Sequence, residues 1–173
     1  ITTGMDNLIN LWSARDWSLN STFTGHSKSA NSLDLNPDES ILASGSSDQT
    51  VRLWSFPGGD LQQTFEHRKQ TVAAVKFSPD GKWLASGWYG GYVAVWSLDN
   101  NEQILSLKAN DRHVTSINIS PDNKIMATSG IGDTIRLWKL PSGDPAGELI
   151  GHKAAVSSLT FIRDGSTLVS MGY

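Results

Sequence analysis

The sequence contains one set of residues with the chemistry of a hydrolytic triad: His26, Ser44 and Asp48. A triad requires an exposed nucleophile, an oxyanion hole and a single site in each molecule. Here the set is repeated, because His152 and Ser170 begin it again near the end of the chain. Repetition of this kind favours a structural role for the three side chains over catalysis.

The repetition follows a fixed period of 42 residues. Four of the seven tryptophans occur at this step: Trp12, Trp54, Trp96 and Trp138. Three prolines keep the same step and are each followed by an aspartate: Pro37, Pro79 and Pro121. A period of a few tens of residues is the sequence signature of a repeat architecture.

Each period contains four short β-rich runs separated by turns. In one unit the runs cover residues 72–77, 83–88, 92–98 and 103–107, with the tight-turn sequence Pro79-Asp80-Gly81 after the first. Runs of this length predict one antiparallel four-stranded sheet per period, and no segment has the apolar spacing of a helix. Such a sheet cannot bury both of its faces alone. We therefore predict an all-β fold in which the sheets pack radially as blades of a β-propeller.

The units resemble WD repeats, which combine a Gly-His pair near the start with an aspartate and a tryptophan near the end. Gly25-His26 opens a unit that ends "SDQTVRLW" at Trp54, and Gly151-His152 opens another. The resemblance covers essentially the whole chain and rests on four phased copies. It implies units of approximately 25–66, 67–108 and 109–150, with partial units at 1–24 and 151–173.

In the family, four side chains form a hydrogen-bonded chain inside the blade, and the resemblance assigns His26, Ser44, Asp48 and Trp54 to it. Asp48 would orient His26, His26 would bond Ser44, and the Ser44 hydroxyl would accept from the Trp54 indole. A buried indole N–H needs an acceptor. A closed polar network of this kind also fixes strand register.

The other units carry parts of this network. Unit by unit, the candidate members are His67, Ser86 and Trp96; Thr128 and Trp138; His152 and Ser170; and Thr2, Asp6 and Trp12. Gly90 stands where the second unit needs the aspartate, and in the third unit Asp133 lies one residue late and no histidine is at the expected position. We expect a partial network in the second unit and a weaker one in the third.

Composition narrows the possible functions. The 173 residues include no cysteine, which rules out disulfides and thiolate metal sites, and a formal net charge of −3 gives no reason to expect binding to nucleic acid or membranes. A zinc site built from His26, His67 and His152 is disfavoured because each belongs to a different unit. We expect no metal and no cofactor. Without an apolar span or a charged leader, we expect a cytoplasmic location.

The loops on one face of the expected propeller are comparatively basic. With strands a to d in each blade, the resembled fold places the d–a and b–c loops on one face, the top face. The d–a loops carry five cations against Glu66 and Asp111: Lys28, Arg68, Lys69, Arg112 and Lys153. The turns of the opposite face are rich in aspartate. The alternative interpretation is that solvated loops carry charges of either sign without forming a site.

The b–c turn of the second unit has the unusual sequence "WYGGY", from Trp88 to Tyr92. Large aromatic side chains in a loop favour a role as anchors for a protein partner, which makes Trp88 and Tyr89 candidates. Alternatively, Trp88 fills the space that the missing aspartate leaves. Both interpretations remain open from the sequence.

We expect a non-enzymatic scaffold that binds a protein or peptide, with an acidic or phosphorylated segment as the candidate partner, through the top-face loops. One alternative is a structural section of a larger multidomain protein whose activity lies elsewhere. Another is an enzyme with a site in the central channel. The inward strands "VAAVKF" and "VTSINI" offer no cluster of carboxylates or histidines, which argues against the enzyme.

The chain starts and stops in equivalent strands, because Ile1 aligns with Ala43 and Tyr173 with Ser47. The sequence thus holds about four blades' worth of strands, with two partial blades at its ends. Three arrangements follow: a four-bladed monomer, two chains joined into eight blades, or part of a longer propeller. We expect part of a larger ring, because closing four blades needs about 90° between neighbours.

Overall fold

The computed structural model describes all 173 residues, from Ile1 to Tyr173. Its regular elements are all β-strands, which confirms the predicted all-β fold. It has no helix long and apolar enough to cross a membrane. The strands are β1 (Thr2–Thr3), β2 (Ile9–Trp12), β3 (Leu19–Phe23), β4 (Ala30–Leu35), β5 (Ile41–Ser46), β6 (Thr50–Ser55), β7 (Leu61–Glu66), β8 (Val72–Phe77), β9 (Trp83–Trp88), β10 (Tyr92–Ser97), β11 (Gln103–Lys108), β12 (Val114–Ile119), β13 (Ile125–Gly130), β14 (Thr134–Lys139), β15 (Pro145–Ile150), β16 (Val156–Phe161) and β17 (Leu168–Gly172).

Three complete antiparallel sheets form propeller blades. Blade I consists of β4–β7, blade II of β8–β11 and blade III of β12–β15, and within each blade neighbouring strands are consecutive in sequence. An N-terminal half-blade holds β1–β3, and a C-terminal half-blade holds β16 and β17. Strands a to d therefore correspond to the four strands of a complete blade in order.

Strand b lies at the centre of each blade and is buried on both faces. Leu42 and Ala43 of blade I point to opposite sides of the sheet and are both fully buried, as are Leu84 and Ala85 of blade II. Successive side chains alternate between the two faces of a strand, so burial of neighbours means that a sheet packs on each side. The core is thus distributed between the blades.

The turns that connect strands a and b are closed by aspartate. In blade II the Asp80 carboxylate accepts hydrogen bonds from the Ser78 hydroxyl at 2.6 Å and from the Lys82 backbone at 3.1 Å. Gly81 adopts φ +73°, a conformation that glycine reaches without strain. This is the turn chemistry that the Pro-Asp-Gly sequence predicts.

Small residues in strand b let the next blade approach closely. A Cβ added to Gly45 of blade I would lie 2.6 Å from a methyl group of Val72 in blade II. A Cβ added to Gly87 of blade II would meet Val114 of blade III at the same distance. Both of these junctions therefore combine a glycine in strand b with a valine in strand a of the following blade.

Hydrogen bonds join strand a of one blade to strand a of the next at two of the three junctions. Between blades I and II, Ser32 Oγ accepts from the Val75 backbone N–H at 3.1 Å, and Asp34 accepts from that of Phe77 at 2.7 Å. Between blade III and the C-terminal half-blade, Ser116 and Asn118 accept from Leu159 and Phe161 in the same way.

The junction between blades II and III lacks these bonds. Ala74 and Lys76 occupy the positions of Ser32 and Asp34, and neither side chain accepts a hydrogen bond from blade III. The contact between these two strands is apolar, with Ala74, Val114 and Ile117 in one buried cluster. Hydrogen bonds between the blades come from loops, from Asp80 to Asn123 and from Gly90 to His113.

Candidate functional site

Blade I contains a continuous chain of four hydrogen-bonded side chains. His26 lies in the loop before strand a, Ser44 in strand b, Asp48 in the b–c turn and Trp54 in strand c. His26 Nδ1 is 2.8 Å from Asp48 Oδ2, and His26 Nε2 is 2.7 Å from Ser44 Oγ. The Trp54 indole donates to the same Ser44 oxygen at 2.8 Å. The chain therefore links the loop, the turn and two strands of one blade.

Asp48 is the most heavily used acceptor of this chain. Its carboxylate also accepts from the Ser27 backbone at 3.1 Å and from the Thr50 hydroxyl at 2.6 Å. Burial raises the pKa of Asp48, but the hydrogen bonds from Thr50 and His26 outweigh it and lower the pKa to about 2. The carboxylate is thus ionised throughout the physiological range.

His26 is held in its neutral form. Burial lowers the pKa of His26, and the neighbouring Asp48 only partly opposes this effect. A neutral ring that donates from Nδ1 to Asp48 accepts at Nε2 from the Ser44 hydroxyl. Ser44 can then accept from Trp54, so each polar hydrogen of the chain has an acceptor.

The same geometry makes Ser44 unsuitable as a nucleophile. Ser44 is 0% exposed, and its hydroxyl is engaged by both His26 and Trp54. A catalytic serine needs an approach for substrate and a nearby oxyanion hole. We therefore assign these contacts to the packing of the blade.

Blade II has the serine and tryptophan of this hydrogen-bonded network, but its histidine contacts a different partner. The Trp96 indole donates to Ser86 Oγ at 2.8 Å. His67 Nε2 instead lies 3.0 Å from Ser106 Oγ in strand d, which departs from the expected partnership of His67 with Ser86. By the 42-residue step Arg68 takes the position of His26 and Gly90 that of Asp48, so His67 lies one residue before the histidine position and blade II has no carboxylate to complete the chain.

Blade III keeps only a pair. The Trp138 indole donates to Thr128 Oγ1 at 2.9 Å. Asn110 stands at the position of the histidine, and its side-chain oxygen accepts from Arg136 at 3.0 Å. Asp133 is exposed and accepts a side-chain hydrogen bond only from Thr134, so it takes no part in the pair.

The two half-blades each hold one part of the four-residue chain. In the C-terminal half-blade, His152 Nε2 lies 2.7 Å from Ser170 Oγ. In the N-terminal half-blade, the Trp12 indole donates to Thr2 Oγ1 at 2.8 Å, and Asp6 accepts from the Leu8 backbone at 3.2 Å. The histidine and serine are thus at one end of the chain, and the aspartate and tryptophan are at the other.

All five cations of the d–a loops are exposed: Lys28, Arg68, Lys69, Arg112 and Lys153. In an antiparallel four-stranded sheet, strand a begins at the same end of the sheet at which the turn connects strand b to strand c. The d–a loops and b–c turns therefore share the top face. Arg68 is fixed there, because its guanidinium carbon lies 3.5 Å from the centre of the Tyr92 ring.

Trp88 is not an anchor for a partner, which corrects one of the two interpretations of the "WYGGY" turn. Its side chain is 0% exposed and belongs to the buried cluster between blades I and II. The His67 ring packs against it at 5.2 Å between ring centres. The indole nitrogen has no hydrogen-bond partner. Burial of the large ring beside Gly90 agrees with the alternative that Trp88 fills space.

Tyr89 belongs to an arc of apolar side chains that the sequence interpretation missed. Tyr89, Ile131 and Tyr173 are each 42 residues apart and are 44%, 44% and 92% exposed. All three donate a backbone hydrogen bond to the loop before strand a of their own blade, so they have equivalent places at the mouth of the central channel. Tyr89 also stacks on His113, with 4.1 Å between ring centres. The 42-residue step could have revealed this arc from the sequence, but its three members are not all of one residue type.

The clefts of the top face include one beside Tyr89 and one beside the basic loops of blade II. One has a volume of about 290 Å³ at the channel mouth, and its lining includes Tyr89, His113, Ile131 and Tyr173. The other, of about 420 Å³, separates the b–c turn of blade I from the loop that enters blade II. Its charged lining residues are Asp48, Glu66, Arg68 and Lys69.

The repeat structure agrees with a comparison at the level of protein families. Four segments match the family described as WD domain, G-beta repeat, at residues 17–55, 59–97, 101–139 and 143–170. The first three segments each run from strand d of one blade to strand c of the next. No curated protein matches the chain. Repeats of this family generally serve as scaffolds for protein interactions. Because the four matches cover most of its length, the chain belongs to the WD-repeat family.

Proposed function

We propose that this chain is a non-enzymatic scaffold that binds an acidic or phosphorylated segment of another protein on its top face. The observation that carries the proposal is the exposed arc of Tyr89, Ile131 and Tyr173 at the channel mouth, with five exposed cations in the surrounding loops. An apolar centre with a charged rim is the usual anatomy of a protein interface.

The cations are least opposed around blades I and II. On blade III, Asp111 and Asp133 are both exposed, and Asp111 lies 3.8 Å from Arg136. Around blades I and II the three cations Lys28, Arg68 and Lys69 meet two carboxylates, Asp48 and Glu66, which line the same cleft. Asp48 is already engaged by His26, Ser27 and Thr50. We therefore place the acidic part of the partner segment over the 420 Å³ cleft and its apolar part near Tyr89.

The opposite face has the opposite charge. Hydrogen bonds from serines lower the pKa values of Asp38, Asp122 and Asp164 in the a–b turns, so these carboxyl groups are ionised at neutral pH. An acidic segment is repelled from that face and attracted to the top face. The charge distribution thus supports one orientation of binding.

An array of acidic and phosphorylated peptides, each paired with a charge-neutral version, tests this function. The double variant Arg68→Glu/Lys69→Glu should weaken binding of the acidic peptides and flatten its dependence on salt. The matched control is Lys82→Glu/Arg163→Glu, which reverses two exposed cations of the opposite turns. Equal loss in both double variants, or no preference for the acidic peptides, would count against the proposal.

A further inference from the structure

Blade II carries two positive charges at a corner of its top face where blade I carries two negative charges. Four positions define this corner, and in blade I they are occupied by His26, Asp48, Thr50 and Glu66. By the 42-residue step, the same positions of blade II are occupied by Arg68, Gly90, Tyr92 and Lys108. The third position lies directly opposite the fourth in the pairing of strands c and d in both blades. Because His26 is neutral, the charge of the corner is reversed between two blades that share one backbone arrangement.

The two cations of this corner are both held against the Tyr92 ring. The guanidinium carbon of Arg68 lies 3.5 Å from the ring centre, and the Lys108 ammonium nitrogen lies 4.7 Å from it. Lys108 also donates hydrogen bonds to the carbonyl oxygens of Gly90 and Asp111. An aromatic face attracts a cation without neutralising its charge. The Tyr92 ring therefore keeps two like charges close together, no farther apart than the two distances to its centre allow.

Neither cation has a carboxylate partner within the chain. No ion pair of the chain includes Arg68 or Lys108. The space beside Gly90, where blade I has its aspartate, is taken by the uncharged Gln70 amide, whose oxygen would lie 2.6 Å from an added Cβ. Glu66 lines the neighbouring cleft with Arg68 but does not pair with it. Two like charges in proximity are unfavourable unless an anion compensates them, so this corner is suited to an anion from outside the chain.

Both cations retain hydrogen-bond donors for such an anion. An ammonium group has three N–H donors, and Lys108 uses two of them on the carbonyl oxygens. The Arg68 guanidinium has five N–H donors, and its contact with the Tyr92 ring is not a hydrogen bond. A phosphoryl group carries nearly two negative charges at neutral pH and offers three acceptor oxygens, whereas a carboxylate carries one charge on two oxygens. The phosphoryl group therefore matches the two cations in charge.

We propose that Arg68 and Lys108, positioned by the Tyr92 ring, bind a phosphoryl group carried by the partner segment. This inference rests on the proposed function and specifies which acidic group the top face selects. The phosphoryl oxygens accept from both cations and supply the two negative charges that blade I has at this corner. The corner of blade III carries no charge, because its four positions are occupied by Asn110, Gly132, Thr134 and Ile150. Among the complete blades, the site is therefore confined to blade II.

Titration with inorganic phosphate, followed by NMR, tests the site without any partner. We expect saturable shifts of the Tyr92 and Lys108 signals. Lys108→Met removes the charge and keeps the apolar stem of an exposed side chain, so the affinity should fall by about tenfold. The matched control is Lys69→Met, since Lys69 is an exposed cation beside Arg68 that does not lie on the Tyr92 ring. Shifts that do not saturate, or an equal loss of affinity in the two variants, would overturn the proposal.

Three versions of one acidic peptide, with phosphoserine, aspartate or serine at a single position, identify the source of the phosphoryl group. The wild-type chain should prefer phosphoserine to aspartate by about tenfold, and this preference should disappear in Lys108→Met and persist in Lys69→Met. Equal binding of the phosphoserine and aspartate versions would refute the phosphoryl site and leave the proposed function standing. Binding of inorganic phosphate without binding of any peptide would assign the site to free phosphate, and would contradict both the partner-borne source and the proposed function.

Discussion

The Asp34 carboxylate of blade I accepts a 2.7 Å hydrogen bond from the backbone N–H of Phe77 in blade II. Its other oxygen lies 2.7 Å from the Lys76 ammonium group, so both oxygens connect the two blades. Asp34 is only partly exposed, at 17% of its side chain. A charge-assisted bond to a backbone donor in such a place contributes more than an exposed ion pair.

Replacement of Asp34 by alanine should therefore destabilise the chain. The substitution leaves the Phe77 N–H without an acceptor, and we expect the free energy of unfolding to fall by about 1–3 kcal/mol. Urea denaturation of Asp34→Ala measures the change. Asp99→Ala is the control, because Asp99 is an exposed turn residue without a side-chain hydrogen bond. Equal stability of the two variants would contradict the role given to Asp34.

Loss of the Asp48 carboxylate should also cost about 1–3 kcal/mol of unfolding free energy, since it leaves the His26 donor unsatisfied in a buried place. The measurement is the denaturation midpoint of Asp48→Ala. Asp133→Ala provides the comparison in blade III, where the carboxylate is exposed, and should change stability by less than about 0.5 kcal/mol. If Asp133→Ala were the more damaging variant, the network would not be the source of stability.

Stability should fall in acid in two stages. The folded-state pKa of His26 is below the ordinary histidine pKa of about 6.5, so its contribution is complete above pH 6.5 and is lost as the pH falls below that value. The Asp48 pKa of about 2 lies below 3.8, so its contribution is lost between about pH 4 and pH 2. The expected loss from Asp48 is about 2 kcal/mol.

Asp48→Asn separates this effect from that of other carboxyl groups, since Asp38, Asp122 and Asp164 also have lowered pKa values. Unfolding free energies of wild type and variant, measured from pH 7 to pH 2, should differ most at neutral pH and converge in acid. A constant difference across the range would rule out titration of Asp48 as the cause.

The missing part of the network in blade III can be restored. Asn110→His and Gly132→Asp place a histidine and an aspartate at the positions of His26 and Asp48, and Thr128 already supplies the hydroxyl. Gly132 has no atom within 4 Å of an added Cβ, so a side chain fits there. We expect the double variant to gain about 1 kcal/mol in unfolding free energy.

Each single variant should show no gain, because the histidine and aspartate stabilise the blade only together. Thermal unfolding of the two single variants and of the double variant forms a complete double-mutant cycle. Additive effects would show that the new side chains do not interact.

The sequence was sufficient to predict the blade architecture, because the 42-residue step recurs in the tryptophans, the prolines and the strand patterns alike. It was not sufficient to predict the partner of His67, which lies one residue before the position of His26 and contacts Ser106 in strand d. The burial of Trp88 was likewise undecided, because an aromatic residue in a turn can point to solvent or to the core. Only the packing of blade II against blade I distinguishes these two cases.

The hydrogen bonds between blades were the contacts that the sequence predicted least well. The bond from Phe77 to Asp34 uses a backbone donor, which every residue type except proline offers. A side chain at one end of such a bond therefore has no recognisable partner in the sequence. Only the stagger of one strand a against the next, a three-dimensional property, brings the two groups together.

The junction between blades II and III, which lacks hydrogen bonds between its two strands a, is the weakest seam of the chain under mechanical load. Ala74 and Lys76 leave its strands a to apolar contacts, and two longer hydrogen bonds join loops, from Asp80 to Asn123 at 3.2 Å and from Gly90 to His113 at 3.4 Å. The strands a of the junctions on either side are joined by Ser32 and Asp34 or by Ser116 and Asn118. Apolar contacts are non-directional and yield gradually to tension, while backbone hydrogen bonds resist until they break. Pulled from its two ends in an optical trap, the chain should first part into two stiff bodies, one on each side of that seam.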